Sequence, residues 1–262
     1  MILAVDVGNS NTTVGLFNGT GELLFRALLE TSRSKTRDQC AIELLGVFQL
    51  YGADACTVDG AILSSVVPPP DYHLHRCHRP PDRYPPHGGG PWHRHGLNIK
   101  AEIHNQLGSD IVASSVAAIA KYPSPIVMVD MGTATSLSLI VGSVYEGCII
   151  MPGLALALDA LSERAAALPP ISIETASPVG LMGHTTEEAM RSGVLYGHAS
   201  MVDGMLERIE ESIGQSVTTV ATGGNAPRIL RYCKRPIQYD ADLIMTGLYL
   251  LYQKNAKKYR KA

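Results

Sequence analysis

Two stretches of the chain share one arrangement of apolar, acidic and small polar residues. In each, an apolar run ends in an Asp-x-Gly turn, at Asp6 within residues 2–12 (ILAVDVGNSNT) and at Asp130 within residues 126–135 (IVMVDMGTAT). Glycine lets a backbone approach phosphate oxygens, the N–H groups and hydroxyls of the turn can cradle them, and the carboxylate can hold a cation. We therefore expect two phosphate-handling turns that face each other across a two-lobed phosphotransferase cleft.

A second β-rich run follows each turn, at residues 13–17 and 137–141, so strand, turn and strand predict a hairpin. A single Asp-x-Gly hairpin would be a weak signal, because most such turns are only turns. The repetition strengthens it, and so does Gly223-Gly224 after the strand-like run 217–220. There a nucleotide base or ribose could lie against bare backbone, although the same pair alone would indicate an ordinary strand–helix turn.

Apolar periodicity predicts the elements that position these turns. We expect strands at 1–7, 12–18, 22–28, 59–66 and 125–130 with a β-meander to about 150, and helices at about 36–50, 108–121, 154–167, 185–213 and 242–255.

Composition excludes several classes of protein. With 262 residues, of which 45% are hydrophobic, the chain suffices for one large domain or two smaller ones. A net charge of −2 favours neither a nucleic acid nor an anionic membrane as a partner. The N-terminus reads as a strand rather than a signal peptide, and five cysteines without C-x-x-C spacing favour reduced thiols, so we expect a cytosolic protein.

Residues 68–95 do not read as a regular fold, because prolines, glycines and six histidines are concentrated there. One interpretation is a metal site formed by Cys77 and neighbouring histidines, although the spacing matches no zinc pattern. A second is a disordered loop. A third depends on a comparison with a family.

Four motifs occur in a fixed order: residues 6–12 (DVGNSNT), 108–110 (GSD), 130–135 (DMGTAT) and 221–224 (ATGG). Together they resemble type III pantothenate kinase, of the acetate/sugar kinase–Hsp70–actin superfamily. The resemblance covers nearly the whole chain outside about 70–95.

The resemblance implies an α/β fold of two RNase H-like (actin-like ATPase) lobes, each a mixed five-stranded sheet flanked by helices. We expect the N-terminal lobe at 1–115, with 70–95 anomalous, and the C-terminal lobe at 116–262. The resemblance also implies a homodimer whose interface helps to build the substrate pocket. It further implies ATP, Mg²⁺ and a monovalent cation (K⁺ or NH₄⁺) as cofactors, and phosphorylation of the small molecule pantothenate on its primary hydroxyl, the first committed step of coenzyme A synthesis.

Site residues are carried over by motif. The residues expected to bind ATP are Asp6, Val7, Gly8, Asn9, Ser10, Asn11, Thr12, Thr13, Thr133, Gly223 and Gly224. The first turn should hold the β- and γ-phosphates with Asp6 near Mg²⁺, and Thr133 should donate its hydroxyl or N–H to phosphate. By resemblance, Asp130 ligates the monovalent cation, and an oxygen ligand suits that hard ion.

The residues expected to bind the substrate are Gly108, Ser109, Asp110, Ile111 and Thr186. By resemblance Asp110 is the general base, because a carboxylate within hydrogen-bond reach can align a hydroxyl and take its proton. The alternative for Asp110 is a plain helix N-cap.

Three positions depart from the family pattern on the acceptor side. Ile111 replaces an arginine, Ala101 replaces a tyrosine, and Thr185 replaces the asparagine before Thr186. A hydrophobic side chain cannot supply the fork of donors that an arginine supplies. The ATP half of the pattern is intact. These departures therefore bear on whether pantothenate is the substrate more than on whether the protein is a kinase.

Residues 70–95 depart differently, because the family expects a helix and then a strand there. Residues 82–95, back-translated with permitted codons and shifted by one base, can read as the segment the family places before Gly96. A compensated frameshift is therefore the third interpretation of this stretch.

Two alternative functions remain open at this point. One is a paralogous kinase that uses the same ATP site on a different small hydroxyl substrate. The other is a non-catalytic regulatory homologue. Four intact residues argue against it, namely Asp6, Asp110, Asp130 and Thr133, whereas Ile111 and Ala101 argue for it.

Overall fold

The structure, a computed structural model, describes residues 1–32, 34–67, 95–100, 107–173 and 179–259. In chain order its elements are β1 (Ile2–Val7), β2 (Asn11–Phe17), β3 (Leu23–Glu30), α1 (Arg37–Leu50), β4 (Gly60–Ser65), β5 (Asn98–Ile99), α2 (Ser109–Lys121), β6 (Ile126–Met131), β7 (Ala134–Val141), β8 (Val144–Pro152), α3 (Leu154–Arg164), α4 (Thr186–Ile213), β9 (Thr218–Thr222), α5 (Ala226–Leu230), β10 (Gln238–Tyr239) and α6 (Leu243–Tyr259).

The chain divides into two compact units. One consists of the described residues of 1–97, 101–117 and 243–262, and the other of 98–100 and the described residues of 118–242. Each unit contains one mixed sheet with helices packed against it, which confirms the predicted fold class. In the described part of the chain, no helix combines the length and the apolar character needed to cross a membrane.

The sheet of the first unit has the strand order β3-β2-β1-β4. Strand β1 is antiparallel to β2 and parallel to β4. Helices cover this strand, because Leu3, Val5 and Val7 pack in one cluster with Phe48 of α1, and the C-terminal helix also contacts β1. The strand accordingly reads as a continuous apolar run, in which Leu3, Ala4, Val5 and Val7 are all buried. The fifth strand that the resemblance implies for this lobe is expected within 70–95, of which the structure describes only His95.

The edge strand β3 alternates, with Phe25 and Ala27 buried and Arg26 exposed. Helix α1 begins after Thr36, whose side chain accepts from the Gln39 N–H while the Gln39 side chain accepts from the Thr36 N–H. The helix buries Phe48 edge-on against Phe25, with ring centroids 5.8 Å apart. This packing covers one face of the first sheet.

The second unit repeats the same topology. Its sheet has the order β10-β9-β6-β7-β8-β5, in which β6 is antiparallel to β7 and parallel to β9. Strands β3-β2-β1-β4 therefore correspond to β8-β7-β6-β9. The short strand β5 adds parallel to β8 at the edge, beyond the five strands that the resemblance implies.

The C-terminal helix α6 differs from the expected division, which assigned it to the second lobe. It contacts β1 and β4 and belongs to the first unit. Leu243, Met245, Leu248 and Leu251 are buried, and Tyr249 stacks on Phe17 with ring centroids 4.8 Å apart. The apolar stripe of a helix shows that it must be buried, but it does not specify which sheet will bury it.

Candidate active site

The first cluster of predicted site residues lies at the carboxyl ends of the parallel strands β1 and β4. Asp6 is opposite Thr13 in β2 and opposite Ser64 in β4. The Val66 N–H donates to the Val7 carbonyl at 3.1 Å, which continues the pairing past the end of β4. In α/β sheets, ligands bind outside the carboxyl ends of strands.

The turn between β1 and β2 presents a polar tip. The Gly8 N–H donates to the Asn11 carbonyl at 3.0 Å, and Asn9, Ser10 and Asn11 are exposed. Thr31, which follows β3, donates its N–H to the Ser10 carbonyl at 3.0 Å. The tip is thus closed by its own backbone and supported from the neighbouring strand.

Two other members of the predicted ATP set lie deeper. The Val7 side chain is only 2% exposed and packs in the core of the first unit, so it cannot present that side chain to a nucleotide. The Thr12 hydroxyl lies 2.8 Å from the Thr31 hydroxyl, which ties β2 to the end of β3. Val7 and Thr12 are paired across β1 and β2, so they share one face of the sheet. Asp6 and Thr13 share the opposite face, because successive side chains of a strand alternate.

Asp110 lies in the first turn of α2. The Ser109 hydroxyl is 2.9 Å from the Ser64 hydroxyl, which attaches the start of this helix to the end of β4. Ser64 is in turn opposite Asp6. The structure therefore brings the start of α2, which carries the predicted base Asp110, to the carboxyl ends of the strands where Asp6 lies. In the sequence, 104 positions separate Asp6 from Asp110.

The electrostatics of Asp110 combine two opposing effects. Desolvation by burial raises the pKa of its carboxyl, while hydrogen bonds from backbone N–H groups lower it. One of these comes from the Ile111 N–H, which donates to Asp110 Oδ1 at 2.8 Å. A local bond of this kind is also what a first-turn carboxylate makes when it only stabilises a helix start, so the catalytic role of Asp110 stays a prediction.

The predicted acceptor-side residues are divided between the units. Ile111 is partly buried beside Asp110, whereas Thr186 is the exposed first residue of α4 in the second unit. Thr185 is the N-cap of α4, and its hydroxyl accepts from the Glu188 N–H at 3.2 Å. Thr185 therefore has a capping role. Ala101 lies outside the described residues.

The second unit repeats the first cluster. Asp130, near the end of β6, is opposite Ser136 in β7 and Thr222 in β9, as Asp6 is opposite Thr13 and Ser64. In the turn that follows, Thr133 is exposed.

The predicted glycine pair packs against this turn. Gly223 has φ of 92°, and a Cβ added there would lie 2.6 Å from both Asp130 Oδ1 and the Met131 carbonyl oxygen. Position 223 therefore requires glycine, because the conformation is left-handed and the approach is too close for any side chain. Gly224 is exposed, and a Cβ there would meet nothing within 4 Å. The structure thus joins the turn after β6 to the turn after β9, two segments predicted separately to bind ATP.

Sequence reasoning missed Asn225, which follows the glycine pair. Its backbone N–H donates to the Met131 carbonyl at 3.0 Å and its Nδ2 donates to the Gly132 carbonyl at 3.2 Å. Asparagine is common in turns because its side chain bonds to nearby backbone groups. The residue type could have indicated a turn at Asn225, but nothing local could have indicated its bond to Gly132, which lies 93 positions away.

A buried histidine supports the strand that leaves the turn after β6. His198 in α4 lies with Nε2 2.8 Å from the hydroxyl of Thr135 near the start of β7, and both residues are buried. Burial lowers the pKa of His198, which favours the neutral ring. Sequence reasoning did not single out this pair.

The carboxylates of the site bear on whether it could hold a metal. Within the described ranges, no group of three or more His, Cys, Asp and Glu side chains could hold an ion. Mg²⁺ is usually bound by one or two carboxylates together with waters and substrate phosphates. A single carboxylate such as Asp6, beside a turn predicted to bind phosphate, fits that arrangement. The histidines and Cys77 of 68–94 lie outside the described residues.

Two solved structures share this fold. A Baf family transcriptional activator from Campylobacter jejuni matches with a TM-score of 0.59 and 20% identity, covering 97% of this chain and 99% of that one. An activator of 2-hydroxyisocaproyl-CoA dehydratase from Clostridium difficile, solved with bound ADPNP, matches with a TM-score of 0.57 and 12% identity, covering 99% and 97%. At these identities the likeness concerns the fold alone, which is the actin-like ATPase fold.

The sequence comparisons identify the family. The family model for type III pantothenate kinase matches residues 2–208. A type III pantothenate kinase from an Exiguobacterium species is 37% identical over 258 residues, covering 98% of this chain and all of that protein. The chain belongs to the type III pantothenate kinase family, as its motifs predicted.

Proposed function

We propose that this protein transfers the γ-phosphoryl group of MgATP to the primary hydroxyl of pantothenate, giving 4′-phosphopantothenate in the cytosol. The observation that carries the proposal is the repeated site: Asp6 and Asp130 each lie at the carboxyl end of a strand flanked by one parallel and one antiparallel neighbour. Family membership gives this repeated site its substrate class.

Phosphoryl transfer depends mainly on positioning and on neutralising phosphate charge. The polar tip at Asn9, Ser10 and Asn11 is exposed to receive the β- and γ-phosphates. Asp6 would hold Mg²⁺, which neutralises phosphate charge when bound. In the second unit, Thr133 would donate to phosphate, and the turn at Gly223 would accept the nucleoside.

Asp110 is proposed as the general base. In support, the neighbouring Ser109 is attached to Ser64, so the start of α2 lies at the carboxyl ends of β1 and β4, where Asp6 also lies. A carboxylate there can orient the hydroxyl of pantothenate and accept its proton as the bond to phosphorus forms. The accepted proton sits on a side chain whose burial already favours the protonated form.

We further propose that the working form is a homodimer, as the family resemblance implies. A second copy would then help to build the pantothenate pocket. The acceptor half would then depend on association more than the ATP half does.

The direct test of the proposed function is ATP consumption with and without pantothenate. We expect ADP to form with pantothenate and 4′-phosphopantothenate to appear in equal amount. ATP turnover that needs another small alcohol would identify a paralogous kinase. Normal ATP binding with no turnover on any hydroxyl acceptor would identify a regulatory homologue.

Activity should require a monovalent cation, because Asp130 matches the position that ligates one in the family. We expect higher rates in K⁺ or NH₄⁺ than in Na⁺ at constant ionic strength, since cation size determines how well oxygen ligands fit. Asp130→Asn should weaken the preference. Equal rates in all three salts would count against this role of Asp130.

Ile111→Arg should lower the KM for pantothenate, because an arginine there would restore a fork of donors beside Asp110. A hydrogen bond to a charged group contributes about 1.5–3 kcal/mol, so we expect a decrease of roughly tenfold or more. The KM for ATP should not change. If the parent protein already saturates at low micromolar pantothenate, Ile111 does not impair acceptor binding.

A further inference from the structure

Three consecutive carbonyl groups, at the end of β6 and in the turn after it, accept hydrogen bonds from distant segments. The Met131 carbonyl accepts from the Asn225 N–H at 3.0 Å, and the Gly132 carbonyl accepts from Asn225 Nδ2 at 3.2 Å. The Thr133 carbonyl accepts from the Gly153 N–H at 3.1 Å. Asn225 therefore supplies two of the three bonds, one from its backbone and one from its side chain.

The bond to Gly132 controls a group that the proposed function uses. The Gly132 carbonyl and the Thr133 N–H belong to one planar trans peptide, so they point in opposite directions. Holding the carbonyl toward Asn225 fixes the direction of the Thr133 N–H and the start of its side chain. A donor on the carbonyl also polarises the peptide, which strengthens its N–H as a donor.

A second residue determines which way the Asn225 amide faces. Arg228 Nη1 donates to Asn225 Oδ1 at 3.2 Å. A guanidinium has donors only, so Oδ1 must face Arg228 and Nδ2 is directed to Gly132. The reversed amide would put an N–H₂ group against the guanidinium and an oxygen against the Gly132 carbonyl, and both contacts would be repulsive.

We propose that Asn225, oriented by Arg228, is a positioning residue for ATP: it sets the Gly132–Thr133 peptide so that Thr133 meets the phosphates. This inference rests on the proposed function, because it takes Thr133 as a phosphate donor. It assigns a role to a side chain that reaches the site only through another residue's backbone.

A positioning role predicts a selective kinetic effect. Asn225→Ala removes the side-chain bond and keeps the backbone bond to Met131. We expect about a tenfold rise in the KM for ATP, with the KM for pantothenate unchanged, because one hydrogen bond and its orienting effect are lost. Asn225→Asp should raise the KM for ATP further, since a carboxylate cannot donate to a carbonyl and adds negative charge near the phosphates.

Arg228→Met provides the second arm. It frees the amide to rotate, so we expect a smaller rise in the KM for ATP in the parent protein. In the Asn225→Ala background, Arg228→Met should cause no further rise in the KM for ATP, because there is no amide left to orient. Arg231→Met is the matched control, because it removes the same charge at an exposed position. In the described structure no hydrogen bond joins the Arg231 side chain to Asn225 or Gly132. We expect Arg231→Met to leave the KM for ATP unchanged.

The outcomes separate the two proposals. If the parent protein fails to bind ATP in calorimetry, the proposed function is wrong and this inference falls with it. If the parent binds ATP and Asn225→Ala binds it equally well, only this inference is wrong. A uniform loss for both substrates with a lowered Tm would also overturn it, because that pattern indicates a structural role alone.

Discussion

Asp110→Asn should reduce kcat by about 10²–10⁴-fold while ATP binds with unchanged affinity. Asparagine preserves the size of the side chain and its attachment near Ser64 but cannot accept the proton of the substrate hydroxyl. Rapid-quench measurement of the first turnover, alongside calorimetric titration with ATP, separates chemistry from binding. Turnover equal to that of the parent would show that Asp110 is only a first-turn residue of α2.

The pH dependence gives a second readout of Asp110. Burial raises the pKa of its carboxyl, so the acid limb of kcat/KM should lie above the usual range for an aspartate. The rate should fall as pH drops through that raised pKa, because the protonated carboxyl cannot act as a base. This limb should be absent from the residual activity of Asp110→Asn.

Stability provides the control for that substitution. A carboxyl whose pKa is higher in the folded state binds its proton more tightly when folded, so its contribution to stability is lost as pH rises through the folded-state pKa. At neutral pH the ionised Asp110 therefore opposes folding. Asp110→Asn is neutral at every pH and should have a Tm equal to or higher than that of the parent. A lowered Tm would mean that the kinetic loss reflects misfolding.

Gly223→Ala should lower both ATP affinity and stability. Alanine at φ of 92° is strained by about 1–2 kcal/mol, and its Cβ would lie 2.6 Å from the Met131 carbonyl oxygen and Asp130 Oδ1. The turn after β9 must then move away from the turn after β6. We expect at least a tenfold loss of ATP affinity and a Tm lower by several degrees.

Gly224→Ala is the matched control for that effect. Its Cβ would meet nothing within 4 Å, so the Tm measured without nucleotide should equal that of the parent. The comparison isolates the close approach at Gly223 from the general cost of replacing a glycine. Equal Tm values for the two variants would mean that the turns after β6 and β9 do not depend on their contact.

Local patterns determined a large part of the fold. The hairpins at Asp6 and Asp130 were predicted because an apolar run, an Asp-x-Gly turn and a second β-rich run are all local patterns that depend on near neighbours. The helices expected at 36–50, 108–121 and 185–213 differ from α1, α2 and α4 by a residue at one end. The motifs, read in order, also identified the family.

Only the tertiary structure decided which distant segments meet. The sequence could not place α6 against β1 and β4, because an apolar helical stripe is compatible with either sheet. It could not pair Asn225 with Gly132 or attach Ser109 to Ser64, because those bonds join segments far apart in the chain. A sequence determines which residues can do chemistry through local periodicity and residue type. The relative positions of those residues depend on how sheets and helices pack, and that packing is a property of the whole chain.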